Sequence, residues 1–376
     1  MTRPYARTLA YHKLHPEVSL ERYVRAKVLE TADRALARKR IYLDTRYWVA
    51  LRDVQLQRAR NAIDKELLDT LIQLVRDGKA ICPINANLFA ELLKQRDEKT
   101  RLATAQVIDE LSLGIGIQSE DERVGTEIMH FLQRSLRGQD ALEPLERLVW
   151  TSVSYLLGYT FPTIGILPEG EMLALQKSYT DDFWNIPFSE QISMLGDAPV
   201  QFDGRWDRIA ENINRETEKY GGNPKSFKQV HVDEFVGFLD AFIPAMRQMI
   251  GRVTAQGMGL PVSEEGRLAS EEDARILLRI LREAFRKNKL GTQLPSVVIK
   301  SGLYAAIRWN RGRQYKGNDL HDFGHASAAL FYCDYFATDS GLRHLVNDDL
   351  RYDQKYAVTV VDNASALLRE IRQLLN

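Results

Sequence analysis

The feature that most constrains this chain is an alternation repeated near both of its ends. A short apolar run is stopped by an acid or a proline, and a stretch with helical spacing follows. Ile41-Tyr42-Leu43 runs straight into Asp44-Thr45 and reads as a buried strand ending at Asp44. Before it, residues 19–39 read as a helix with Ser19 as N-cap, because Leu20, Val24, Val28, Leu29 and Ala32 keep helical spacing. After it, helical composition returns over 46–60. A second helix over roughly 62–76 puts Ile63, Leu67, Leu71, Leu74 and Val75 on one face and ends near Asp77-Gly78. Residues 79–83 read as a second strand, with Pro83 suited to its end. Helices over 86–98, capped by Asn85, and 100–112 follow, then a third strand candidate over 114–118. From about 300 the pattern resumes: a helix over 299–311, a basic loop, a helix over 319–331, a strand over 334–338, a short helix over 340–347, a last strand over 357–361 and a last helix over 364–375. Continuous apolar strands alternating with helices imply a parallel sheet covered on both faces.

The middle has a different character. Helical patterns recur over 120–136, 142–157, 204–219, 229–256 and 269–288, separated by loops rich in proline and glycine and with no fixed period. The expected organisation is one α/β domain built from 1–118 and 300–376 and interrupted by an all-helical insertion over 119–299. A chain of 376 residues is long for a single core, which fits that division. Phe183, Trp184, Phe188, Phe202 and Trp206 within the insertion read as ordinary core.

Composition narrows the function classes. Fifty-one basic and fifty-one acidic residues cancel, so a nucleic acid or an anionic membrane must be met by a local patch. Two cysteines, Cys82 and Cys333, cannot make a disulfide framework or a four-cysteine zinc site and fit a reducing compartment. The most apolar stretch, around 148–161, is too short and too interrupted to span a bilayer, and the N-terminal residues lack the apolar core of a secretory signal. The expected address is the cytoplasm.

Ligands of open parallel sheets bind beyond the carboxyl ends of the strands. Asp44 ends the first strand there, Asp339 follows the fourth, Glu91 lies early in the helix after the second, and Asp319 and Asp322 open the helix before the fourth. Right-handed crossovers bring such ends to one edge. Carboxylates gathered there repel one another unless a hard cation neutralises them, and all-oxygen donors favour Mg²⁺ or Mn²⁺ over zinc. Three of these acids also have a plainer use: Asp44 stands near a helix N-terminus, whose dipole stabilises acids, and Asp319 and Asp339 stand where aspartates cap helices, whereas Glu91, inside an apolar helical stretch, is the hardest to explain in this way.

The segments IYLDTRYW, NLFAELL and DLHDFGHASAALFYCDYFATDS resemble the core of the PIN-domain nucleases. The resemblance covers roughly 40–118 and 300–376. It implies a PIN-like three-layer α/β sandwich with a central parallel sheet, and places Asp44, Glu91, Asp322 and Asp339 as catalytic metal ligands, with Asp319 as an additional or alternative one. Many members carry a further acid where this chain has Ser340. The implied activity is Mg²⁺- or Mn²⁺-dependent hydrolysis of phosphodiester bonds in single-stranded RNA by an endoribonuclease. The alternative is a catalytically weak RNA-binding or protein-interaction module that retains the fold.

An RNA partner is also suggested by the loop before Asp319, where Arg308, Arg311, Arg313 and Lys316 occur with Trp309 and Tyr315 and no acid. Against it stands the bland explanation of a solvated helix end. His325 would assist by orienting Asp322 or a phosphate, or would be a satisfied core histidine. His321 and His325 have the i, i+4 spacing of a zinc helix, but Asp322 stands where a zinc peptidase has glutamate. A regulatory protein partner or a second copy of the chain is an expected role for the helical insertion.

Overall fold

A computed structural model describes residues 4–95, 97–137, 142–196, 205–220, 224–260, 268–310 and 312–375. The chain divides into two compact units: one of residues 1–119, 146–201 and 361–376, the other of 120–145 and 202–360. This grouping differs from the three segments expected from sequence. Residues 146–201 belong with the N-terminal portion, and 300–360 belong with the helical middle. Helix predominates in both units, with short strands between.

In the first unit, Ser19 caps the helix Leu20–Leu36 by accepting from Arg22 N at 3.2 Å. β1 (Lys39–Leu43) pairs in parallel with β2 (Ala80–Ile81), Lys39 opposite Ala80 and Arg40 opposite Ile81. Ile41, Tyr42 and Leu43 have no exposed surface, which is why β1 reads as an unbroken apolar run. The helix Ala62–Arg76 has the expected bounds. It stops at Asp77, and Gly78 follows at φ +69°, a left-handed conformation that glycine adopts without a Cβ penalty. The helix Ala86–Leu92 is shorter than its apolar pattern suggests, because Asp97 caps the next helix, Glu98–Ser112, by accepting from Thr100 N at 2.8 Å.

Residues 142–157 do not form the expected helix. They contain β4 (Trp150–Ser152), antiparallel to β3 (Ile115–Ile117), with a 3₁₀ turn on either side. All three residues of β4 are buried. Trp150 Nε1 donates to Glu146 O at 2.7 Å, and Ser152 Oγ donates to Trp184 O at 2.6 Å, bonds that hold the segment extended. Ile117 N also donates to Ile84 O at 2.8 Å, and a Cβ at Gly116 would meet Leu156 and Ile84 O. Trp184 and Phe188 are core residues of this unit, as expected; Trp206 of the other unit is exposed, against that expectation, and Phe202 lies outside the described residues. The helix Pro4–Lys13 is tied in by His12 Nε2, 2.8 Å from Asp181 Oδ2; Asp181 also accepts from Tyr23 and pairs with Lys27 at 2.9 Å.

The second unit packs the helices Glu120–Arg137, Phe227–Asp240, Ile243–Met258, Glu271–Arg286 and Pro295–Trp309 around Val124, Ile128, Phe235, Leu239, Leu281 and Val297. The expected helix over 229–256 is two helices, broken at Ala241-Phe242. Pro244 lies in the first turn of the second, where its missing N–H costs no bond. The helix Gly317–Tyr332 leads into β5 (Tyr335–Ala337), and β6 (Thr359–Val361) lies next to β5, with Thr359 N donating to Asp334 O at 3.0 Å. Among the described residues no helix is long and apolar enough to cross a membrane.

Three of these helices meet at a buried polar cluster. Glu127 has no exposed surface; its Oε1 accepts from Tyr332 OH at 2.8 Å, and both its oxygens accept from Ser296 N at 3.2 Å. Arg123, also buried, donates from Nε to Ser296 Oγ at 2.7 Å and from Nη2 to Ser327 Oγ at 3.1 Å. Burial pushes the Glu127 carboxyl up to about 7, against the lowering effect of Ser296, Arg123 and Tyr332. A folded-state value above the unfolded one means that the folded state binds the extra proton. Glu127 therefore stabilises the fold at low pH, and that contribution is lost as pH rises from about 4.5 to about 7. The urea midpoint of the wild type is expected to fall across this window, and that of Glu127→Gln to stay flatter. Glu127→Ala, which leaves Arg123 buried without the carboxylate, is expected to cost about 3 kcal/mol in the same titrations.

Candidate metal centre

Asp44 is the residue at which β1 ends and the helix Thr45–Gln55 begins. Trp48 Nε1 donates to Leu43 O at 3.0 Å and so pins the strand end. Asp44 occupies the N-cap position, yet its side chain makes no capping bond; only its backbone carbonyl serves the helix, accepting from Tyr47 N at 2.9 Å. Glu91 is in the last turn of Ala86–Leu92, a helix started by Asn85, whose side chain accepts from Leu88 N at 3.1 Å. The Thr45 hydroxyl donates to Glu91 Oε2. Asp44 and Glu91 each bring a carboxylate oxygen within 4.8 Å of the other.

A second pair forms in the other unit. Asp322 lies in the second turn of Gly317–Tyr332, where Asn318 Nδ2 donates to its Oδ2 at 2.8 Å. Asp339 follows Thr338 after β5 and caps the short helix Ser340–His344. Both capping bonds, from Gly341 N at 2.6 Å and Leu342 N at 3.0 Å, go to Oδ1. Asp322 and Asp339 also have carboxylate oxygens within 4.8 Å of one another. Two full negative charges at such a separation repel by roughly 3 kcal/mol at an effective dielectric near 20. A shared proton or a bound cation relieves that repulsion, and a donor set made of carboxylate oxygens fits Mg²⁺ or Mn²⁺.

Asp319 does something else. Its Oδ1 accepts from Arg313 Nη2 at 2.9 Å, its Oδ2 accepts from Lys316 N at 2.8 Å, and it is mostly buried. Asp319 is not the N-cap expected of it: it stands at the third position of the helix, where Oδ2 holds the backbone of the N-cap Lys316 and Oδ1 holds the preceding loop through Arg313. His325 is buried one turn beyond Asp322, and the neighbouring His321 packs edge-on against Trp206 with ring centroids 5.0 Å apart.

The basic loop is largely occupied within its own unit. Arg308 pairs with Glu234 at 2.7 Å and Arg313 with Asp319 at 2.9 Å. Lys316 is the N-cap of the following helix. Tyr315 is buried, donating from its hydroxyl to Tyr304 O at 2.7 Å, and its backbone is bracketed by the Asn214 amide. Arg311 lies outside the described residues; Trp309 is exposed. Sequence reasoning did not single out Thr45 or Glu127. Thr45 was signalled by its place directly after the strand-ending acid. Arg123 and Glu127 have the i, i+4 spacing of an ordinary exposed pair, so nothing local announced their burial.

No family model, curated protein or solved structure matches this chain. Its site therefore stands on its own geometry.

Removing the Asp319 cap tests its assignment. Asp319→Ala is expected to lower the unfolding free energy by about 1 kcal/mol in urea titrations, through loss of the cap and of the Arg313 pair.

Proposed function

We propose that this chain is a Mg²⁺- or Mn²⁺-dependent endoribonuclease of PIN-like type that hydrolyses single-stranded RNA, with Asp44, Glu91, Asp322 and Asp339 as its cation ligands. The observation that carries the reading is that these four carboxylates stand two by two at close range, one member of each pair at the end of a short strand: Asp44 directly after β1 and Asp339 two residues past β5. Asp319 and Glu234 are paired with arginines. When bound, the cation would neutralise charge on the phosphoryl oxygens and make its water a better nucleophile.

The chain's own residues would hold the ligands in place. Thr45 restrains the Glu91 carboxylate through its hydroxyl, and Asn318 does the same for Asp322 through its amide. The two backbone donors on Oδ1 of Asp339 orient that carboxylate. Such outer bonds fix ligand direction before the ion arrives.

Cleavage of a 5′-labelled single-stranded RNA in Mn²⁺, abolished by EDTA, is the expected result. Asp44→Asn and Asp339→Asn are each expected to slow it by about 100-fold or more, since a few kcal/mol of charge stabilisation corresponds to that factor. Asp319→Asn is expected to cleave at close to the wild-type rate. RNA left uncut by the wild type, or cut equally by Asp44→Asn, would sink the assignment; binding without cleavage would favour the RNA-binding module.

A further inference from the structure

We propose that a basic face of the second unit, made by Lys225, Lys228, Arg282, Lys287, Lys289 and Lys355, binds the phosphate backbone of single-stranded RNA. The preceding reading is needed here only for the choice of RNA as the polyanion. The six cations come from three separate parts of the chain. The helices Phe227–Asp240 and Glu271–Arg286 run antiparallel: Arg275 lies 3.9 Å from Asp240 at one end, while the Phe285 ring lies 4.8 Å from that of His231 and 4.2 Å from that of Phe235 toward the other. This brings Lys225 and Lys228, at the start of the first helix, to the end of the second, where Lys287 and Lys289 follow Arg286. Lys355 joins them because it packs on Gly291, where an added Cβ would come within 3.5 Å of its Nζ.

All six are exposed, and among the described residues none has an acid within ion-pairing distance. Lys355 instead lies over the rings of Tyr352 and Tyr356, with its Nζ 5.3 and 5.1 Å from their centroids. Near Lys228 and Arg282 the acids closest in sequence are engaged, Glu283 pairing with Arg286 at 3.4 Å and Asp233 accepting from Gln229 at 2.8 Å; Asp353, two residues before Lys355, makes no ion pair with it. Toward the start of the same helix, Arg275 and Arg279 are answered by Glu271 and Glu272, each at 2.7 Å, so the surplus charge is confined to one end. His231 beneath this end is held well below its ordinary value, to about 4, first by burial and further by Lys355, so it adds no charge at neutral pH. Uncompensated lysines and arginines on neighbouring elements suit a chain of phosphates. A lipid surface fits less well. The exposed Ile276 and Ile280 are turned about a third of a turn away from the Arg282–Arg286 stripe.

The test uses the full chain, a fluorescein-labelled oligouridine and EDTA, so that binding is read without cleavage. Wild type is expected to bind. The triple variant Lys228→Glu, Lys287→Glu, Lys289→Glu is expected to bind about tenfold or more weakly, and the slope of log K against log salt to shrink by roughly 2, as loss of three phosphate contacts requires. Reversing Lys65 and Lys99, exposed lysines of the other unit, is expected to leave affinity within about twofold; an equal loss there would reduce the effect to overall charge and overturn the proposal. Because the three substituted side chains are exposed, unchanged circular dichroism and urea midpoint show that folding is intact. Unaltered affinity of the triple variant overturns the proposal, even if wild type cleaves RNA. Binding lost in the triple variant supports it, even if wild type never cleaves. Binding to phosphatidylserine vesicles in place of RNA overturns it.

Discussion

A carboxylate with no exposed surface sets the terms for the second unit. Glu127 is reached by Tyr332 from one helix and by the backbone of Ser296 from another, while Arg123, one turn away on its own helix, holds the hydroxyls of Ser296 and Ser327. Each bond fixes a position along a helix axis as well as a distance, so three helices cannot slide past one another without exposing a buried charge. The helix Gly317–Tyr332 is among those held, at Ser327 and Tyr332, and it carries Asp322 in its second turn and His325 midway. The polar cluster thus governs where the helix bearing Asp322 stands without touching that acid.

The acids of this protein sort by company. Asp319, Glu234 and Asp181 sit with arginine, lysine or histidine, and their charge is answered inside the protein. Asp44 with Glu91, and Asp322 with Asp339, sit with each other. One member of each pair comes from a strand end, Asp44 after β1 and Asp339 just past β5, and the other from a helix, Glu91 in Ala86–Leu92 and Asp322 in Gly317–Tyr332.

Much of this was legible because the local pattern and the tertiary outcome agreed. Ala62–Arg76 has one clean apolar face and a glycine just past its end, and its bounds were readable to the residue. Asp44 was legible as the stop of a continuous apolar run. The failures have equally specific causes. Trp150-Thr151-Ser152 reads as helix from its helix-like flanks, and only β3, thirty-odd residues earlier, reveals it as a strand. Pro244 was overlooked because a proline in a first helical turn does not disturb apolar spacing. Asp319 looked like its neighbour Asp322 until Arg313 folded back onto it. The basic loop is conspicuous because its four charges fall within nine residues, yet Arg308 and Arg313 are each paired with an acid. The basic face at Lys228, Lys287 and Lys355 was invisible because its charges come from segments far apart in the chain.

The backbone passes between the two units four times, at residues 119–120, 145–146, 201–202 and 360–361. No single cut can therefore free either body, and a gene fragment encoding one contiguous half would specify parts of both and the whole of neither. Dissecting such a protein calls for re-wired termini and joined segments, and its two bodies are bound to be inherited, synthesised and degraded together.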